Sequence, residues 1–449
     1  MSGIGPAEPS VQPGTEPVRD PAIDLVRCIC LALVVVGHAM MVSPVLHPDG
    51  TVTTQNTLGD QDWFEPVIWV FMVMPLFFVT GGITGLQSWR RLVARGGTAA
   101  DFVRGRLRRF LRPAVAVLAA MFLGFWLAGL LGVHPQVVQL LASGGAMPLW
   151  FLAAYLAAQL NIPLLSALHS RSPWLTFLGL ATLVVAVDSF RGSMPQLAYL
   201  NLLFLWWAVQ QLGFLTADGH AARLPRPALA VIALAANLVM GVVTALGIYS
   251  NNMLVNLNPP NLTLLLLGIS QASLMQLARP ALTAAGSAPR VRRMLLVTGS
   301  RSLTVYLWHL PLLGAMSGLL LLTPFPKPAA GTAEWWWARP VVLLALVLLL
   351  LPVLAAFGHL EQRTTASPAT GFRPAGAAGA AVVVFFPAAA GALTGLTLEL
   401  LGVGAVCFAL ALLMLRDRHA PGRRGRPRAA RDAHRKRRRG RGGIASGVK

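Results

Sequence analysis

Charged residues are scarce. Only 12% of the 449 residues are Asp, Glu, Lys or Arg, against 55% apolar, and mean hydropathy is +0.63. That leaves too little polar surface to cover two or three water-soluble domains. Three cysteines do not make a disulfide-stapled secreted fold, and Cys28, Cys30 and Cys407 all lie in apolar runs, as packing residues do. No CxxC pair or Cys/His array has metal-ligand spacing, and no GxGxxG, P-loop or GxSxG element occurs. Acids are few, 16 against 37 Lys+Arg, so the chain is not an acidic solvating polymer either. What the chain has in quantity is long apolar runs, and these predict an all-α, polytopic integral membrane helical bundle.

Twelve runs are about long enough to cross a hydrocarbon core: 23–42, 63–86, 113–133, 148–168, 173–190, 196–216, 227–249, 261–278, 301–322, 340–357, 375–391 and 394–415. With the N-terminus inside, 33 of the 37 Lys/Arg fall in inner segments, and Arg191, Lys327 and Arg339 are the three in outer loops. This asymmetry predicts a cell-membrane protein with both termini cytoplasmic and therefore an even number of passes. The stretch 375–415, broken by Pro387 and Gly391, reads as a C-terminal helical hairpin. The organisation expected is a leader over 1–22, a ten-helix core over 23–374, the hairpin over 375–415, and a basic tail over 416–449. The tail holds 14 of the Lys/Arg and two acids. Its Arg, Gly and Pro content predicts a disordered segment attracted to anionic lipid headgroups; nucleic acid is the less favoured polyanion.

The first apolar run carries three ionisable residues, Asp24, Arg27 and His38. Charged and titratable groups at membrane depth are costly, which makes them functional candidates. Eleven helical positions separate Arg27 from His38, which puts them within about 20° of one face and about 16 Å apart along the axis. Arg27 is thus near the inner boundary and His38 in the outer half. Snorkelling and an interhelical hydrogen bond are the plainer roles for each alone; their shared face favours a site.

The stretch from Arg19 to His38, RDPAIDLVRCICLALVVVGH, resembles the signature of the family-three membrane acyltransferases, whose first helix carries an Arg, ten residues and a His. Other segments resemble the family in the same order: MPLFFVTGG at 74–82, FVRGRLRRFLRP at 102–113, MPLWFLAAYL at 147–156, SLTVYLWHLPLL at 302–313 and FGHLEQR at 357–363. The segment 323–339 with Trp335, Trp336 and Trp337 has no counterpart, and there is no GDS-type block of a fused hydrolase-like domain.

The resemblance implies transfer of an acyl group, most often acetyl, from cytoplasmic acyl-CoA (acetyl-CoA) to a hydroxyl of a glycan, glycolipid or glycosylated small molecule, with no metal. Coenzyme A is polyanionic, and Arg104, Arg106, Arg108, Arg109 and Arg112 form a dense inner cluster suited to hold it, although arginines there also serve as ordinary inner-face anchors. His38, with Arg27 and Asp24, is the expected catalytic group, acting as general base on the acceptor hydroxyl. An acyl-histidine route is the alternative. His309, eight residues beyond Arg301 and at similar depth, is a candidate for orienting His38 or the acceptor, with Tyr306 and Trp150 as lining residues. In the outer segment YSNNMLVNLNPPN, Ser250 and Asn252 are candidate sugar contacts, or else ordinary loop caps. The competing class is a carrier or flippase that binds and moves an anionic or lipid-linked substrate through the same buried charges.

Overall fold

The computed structural model describes residues 20–47, 52–135, 137–138, 144, 148–321, 323, 328–361, 374–394 and 397–416. The leader to residue 19 and the basic tail from 417 lie outside these, and so does the side chain of Trp150.

Most described residues of each of the twelve apolar runs lie in helices, and two more helices stand between the eighth and ninth runs. In chain order the helices are α1 (Pro21–Met41), α2 (Phe64–Phe71), α3 (Met74–Val93), α4 (Ala99–Leu130), α5 (Pro148–Leu160), α6 (Ile162–Arg171), α7 (Pro173–Ser189), α8 (Asn201–Ala217), α9 (Arg226–Ala245), α10 (Leu262–Leu277), α11 (Arg279–Ser287), α12 (Pro289–Gly299), α13 (Ser302–Leu321), α14 (Ala333–Phe357), α15 (Pro374–Thr394) and α16 (Leu398–Met414). Among the described residues, seven segments are long and apolar enough to cross a membrane. They become nine when the bent pairs α5–α6 and α10–α11 are each taken as one, and Pro173–Ser189, Ala375–Pro387 and Leu398–Met414 are shorter. The protein is thus an all-α polytopic bundle; the expected number of passes, twelve, is higher than length alone gives. One antiparallel hairpin, β1 (Val42–Leu46) with β2 (Val52–Asn56), departs from the helical expectation, pairing Val42 with Asn56 directly after α1.

Local chemistry sets the helix ends that matter for the site. Asp20 caps α1, its Oδ1 accepting from Ala22 N at 3.0 Å, and Pro21 supplies the preset φ of a first helical residue. The run expected at 63–86 breaks between α2 and α3, where Pro75 cannot donate. Gln271 of α10 mends the break: its Nε2 donates to Met72 O at 2.8 Å and its Oε1 accepts from Leu76 N at 3.1 Å. A Thr98/Asp101 capping box starts α4.

The glycines of MPLFFVTGG let α3 pack backbone to backbone. A methyl on Gly82 would meet Gln210 O at 2.4 Å, and one on Gly213 would meet Val79 O at 2.2 Å, so α3 and α8 cross at a distance that excludes any larger residue. Phe78, stacked on Trp206 at 4.2 Å, fills the core beside that crossing. At the other flank of the bundle the C-terminal hairpin packs on α4: Gly402 faces Phe122, and Arg104 donates from Nε to Leu415 O at 3.0 Å.

Candidate active site

A cavity of about 420 Å3 opens at the end of the bundle where α1 begins, walled by α1, α3, α4, α5, α12 and α13. Helical periodicity decides which side chains reach it. On α1 the wall is Asp20, Ile23, Asp24, Arg27, Leu31 and Val34, with Cys28 and Cys30 at its margins; on α4 it is Phe102, Gly105, Arg106, Arg109 and Phe110. Both are i, i+3, i+4, i+7 stripes. Of the five arginines expected to hold the donor, Arg106 and Arg109 lie on the α4 stripe. Arg104 is turned to the C-terminal hairpin, and Arg108 and Arg112 are off the cavity wall, because each sits off the stripe by 100° per residue.

The cavity is electropositive. Five arginines line it, Arg27, Arg91, Arg95, Arg106 and Arg109, against three carboxylates, Asp20, Asp24 and Glu361. Two of those carboxylates are engaged: Asp20 Oδ2 accepts from Arg279 at 2.5 Å, and Glu361 sits 3.7 Å from Arg109. Among the described residues Arg27, Arg91, Arg95 and Arg106 form no ion pair. Arg27 instead lies 5.7 Å over the Phe77 ring, and Arg106 lies 4.9 Å over Phe102. Gathering unpaired cations in a partly desolvated space is unfavourable unless an anion joins them. Arg91 near the end of α3 and Arg95 in the turn that follows it, with Gln87 and Ser88, were not among the sequence candidates; the i+3, i+4, i+7 spacing of Gln87, Ser88 and Arg91 from Thr84 is the signal that places that stripe.

Glu361 ties two walls together. Its carboxylate accepts from Leu303 N at 3.1 Å and Thr304 N at 3.0 Å, the orphan donors that open α13, while facing Arg109 of α4. The start of α13 is thereby held against the arginine helix, and α13 carries the remaining polar groups of the site.

His38 and His309 meet beyond the deep end of the cavity. His38 Nδ1 is 2.8 Å from His309 Nε2, with the rings stacked at 5.1 Å, and His309 Nδ1 is 2.5 Å from the Tyr306 carbonyl. A carbonyl can only accept, so His309 carries its proton on Nδ1 and presents the Nε2 lone pair. His38 Nδ1–H donates to that lone pair. The Nε2 of His38 is left with its own lone pair, the form a general base needs. His309 is fully buried and His38 half-buried. Tyr306 lines the cavity and touches the His309 ring at 5.6 Å.

The outer candidates are placed elsewhere. Ser250 Oγ accepts from Asn252 N at 3.1 Å, and Asn252 Oδ1 accepts from Leu254 N at 2.9 Å. Asn256 Nδ2 donates to Ser250 O at 2.6 Å. The loop is fastened further by Asp188, which accepts from Tyr249 Oη, Asn201 Nδ2 and Leu262 N at 2.8 to 2.9 Å. Burial, then the Asp188 carboxylate, push the Tyr249 hydroxyl well up from its ordinary pKa. Among the described residues no group of three His, Cys, Asp or Glu side chains is placed to hold a metal ion.

A family model described as an acyltransferase domain, that of the third acyltransferase family, matches residues 20–359. The match covers most of the chain, and the protein belongs to this family of membrane acyltransferases. It includes the Arg27–His38 helix, the arginine-bearing α4 and His309, and it stops short of Glu361 and the C-terminal hairpin. No curated protein and no solved structure matches significantly.

Proposed function

We propose that the protein moves an acetyl group from cytoplasmic acetyl-CoA to a hydroxyl of a glycan, glycolipid or glycosylated small molecule, with both termini in the cytoplasm of a cell-membrane protein. One observation carries the reading: a cavity with four unpaired arginines at its walls leads toward a histidine whose tautomer leaves a basic nitrogen available. The polyanionic end of the donor is held by Arg27, Arg91, Arg95, Arg106 and Arg109, each able to give planar, charge-assisted hydrogen bonds to phosphate. Asp24, on the same stripe of α1 as Arg27, orients that cationic wall. The pantetheine arm extends along α1 toward His38.

The chemistry balances without a covalent enzyme intermediate. The acceptor oxygen attacks the thioester carbonyl as its proton passes to His38 Nε2; the new C–O bond forms, the C–S bond breaks, and the proton on His38 goes to the leaving thiolate. His309 accepts throughout from His38 Nδ1–H and stabilises the imidazolium, in the way an orienting group serves a catalytic histidine. Trp150 remains as an acceptor-side contact in this reading, and the basic tail as a contact for anionic headgroups, whereas Ser250 and Asn252 serve their own loop.

Incubating membranes containing the protein with labelled acetyl-CoA, then identifying what gains the label by mass, tests the proposal. A labelled hydroxyl-bearing product that is missing with His38→Ala is the expected result. Transport of an anionic or lipid-linked substrate into vesicles with no acyl product would restore the carrier reading.

A further inference from the structure

We infer that the C-terminal hairpin splints α4 across a proline, so that residues outside the family match set where Arg106 and Arg109 stand; this deepens the donor reading above and rests on it. α4 runs from Ala99 to Leu130 with Pro113 inside it. A prolyl nitrogen carries no proton, so it gives no helical hydrogen bond to the Arg109 carbonyl four residues back, and its ring crowds that turn. The weak turn therefore falls beside an arginine of the cavity wall. It divides α4 into an inner half with the arginines and an outer half from Pro113 onward.

The hairpin grips both halves. Before the proline, Arg104 is buried and donates from Nε to Leu415 O at 3.0 Å. Beyond it, a methyl on Gly404 would meet Leu118 at 3.4 Å and one on Gly402 would meet Phe122 at 3.0 Å, so α16 lies close against the outer half. At 100° per residue, Leu118 and Phe122 fall within about 40° of Arg104, while Arg106 and Arg109 fall about 160° and 140° from it. One face of α4 thus meets the hairpin and the opposite face meets the cavity. On α16 the buried residues Leu401, Gly404, Phe408, Ala411 and Leu415 continue as one stripe from end to end. Arg104 reaches the last carbonyls of that helix, where the negative end of its dipole gathers, so the contact is fixed in direction as well as in distance.

The inner half of α4 is therefore held between two points. On the cavity side Glu361 lies 3.7 Å from Arg109 and accepts from the first amides of α13; on the far side Leu415 O holds Arg104. Without the second point, that half can bend about Pro113, and Arg106 and Arg109 shift relative to Arg27 and Arg91 across the cavity. Planar guanidinium contacts to an anion depend on such alignment. No hairpin residue lines the cavity, and neither does Arg104, so both act on the donor only by positioning α4. The family match ends at residue 359, before the hairpin begins, so this brace is an addition to the matched core.

The test is coenzyme A binding to the purified full chain, with melting temperature measured alongside, for wild type, Arg104→Met, Gly402→Leu and Pro113→Ala, and for each of the first two combined with Pro113→Ala. Arg104→Met and Gly402→Leu loosen the hairpin at opposite sides of the proline, and each is expected to weaken binding by about 10-fold, the low end for one misaligned charge-assisted contact. Pro113→Ala alone binds as wild type does. Added to either loosened variant it restores most of the affinity, because a continuous helix needs no splint; this coupling is what a hairpin that only adds stability would not produce. Should Arg104→Met not fold, Arg104→Lys, which keeps the charge and loses the fork, takes its place. Unchanged affinity in the folded Arg104 and Gly402 variants, or a loss of the same size with and without Pro113, overturns the splint and leaves the donor reading standing. No coenzyme A binding by the wild type overturns the donor reading and the splint with it.

Discussion

The two ends of the bundle treat polar side chains in opposite ways. At the end where α1 begins, four arginines face a cavity without an acidic partner among the described residues. At the end where α9 gives way to α10, nearly every polar group is spent on a neighbour: Ser250 and Asn252 on their own loop, Tyr249, Asn201 and Leu262 N on Asp188. A polar residue near a membrane boundary is informative about ligands in proportion to the bonding capacity it has left. By that measure the first end is arranged for an anion and the second for holding two helices at a fixed separation.

The sharpest way to break this comparison is at His38, the base proposed beyond the arginine-lined cavity. Replacing His38 with Ala removes the base while α1 stays apolar, and is expected to lower acyl transfer at least 100-fold with membrane insertion unchanged. Retention of more than about a tenth of the wild-type rate would place the base elsewhere. His309→Gln should act more gently and differently, since an amide oxygen can still accept from His38 Nδ1–H: a reduced rate and a shifted pH–rate profile, with donor affinity untouched.

Next in size is Arg27. Its guanidinium has no carboxylate partner among the described residues and lies over Phe77, so nothing in the fold depends on an ion pair there. Arg27→Lys keeps the charge and loses the planar fork, and one lost charge-assisted contact costs about 1.5 to 3 kcal/mol, or roughly 10- to 150-fold in coenzyme A affinity. Binding of coenzyme A to the purified protein is the measurement. Arg108→Lys, whose side chain is off the cavity wall, serves as the reference and should leave affinity unchanged.

How much of this was legible in the sequence follows from what period and hydropathy can see. The all-α bundle, the position of every helix-bearing run and the shared face of Arg27 and His38 follow from apolar length and 100° per residue. The same arithmetic applied to α4 separates Arg106 and Arg109 from Arg104, Arg108 and Arg112, but only once the cavity shows which face is the wall. Three things are set by contacts across the fold. Gln271 mends a break 195 residues away in sequence, Glu361 fastens α13 to α4, and His309 fixes the tautomer of His38. A local pattern carries no information about partners at such separations.

Arg90 and Arg91, neighbours in sequence, bring the comparison within one helical turn. Arg91 faces the cavity, whereas Arg90 binds Asp218 through both terminal nitrogens, with His169 Nε2 at 3.1 Å from the same carboxylate. The Arg90 hydrogen bond is the main reason the Asp218 carboxyl sits below its ordinary range. A carboxylate whose folded pKa is depressed stabilises the fold above the unfolded value, and that contribution fades as pH falls through the folded one. Asp218→Asn should therefore melt lower than wild type at pH 7, with the gap closing on acidification below the usual carboxylate range. Coenzyme A binding should not change, because this arginine is committed to the fold. Arg91→Gln should give the reverse pattern, weaker binding at an unchanged melting temperature.

The smallest expected effect is at the outer loop, and it decides whether the contrast between the two ends holds. Asn252 uses its Oδ1 on Leu254 N and its backbone N–H on Ser250 Oγ, both short-range contacts that shape one turn. Asn252→Ala removes one such bond, worth about 0.5 to 1.5 kcal/mol of stability, and leaves the Asp188 network that anchors the loop intact. A small drop in melting temperature with an unchanged KM for the acetylated acceptor is the outcome that a loop occupied with its own bonding requires. A rise of 10-fold or more in that KM at an unchanged melting temperature would mean the side chain keeps bonding capacity for a sugar hydroxyl. Both ends of the bundle would then hold substrate, the donor at one and the acceptor at the other.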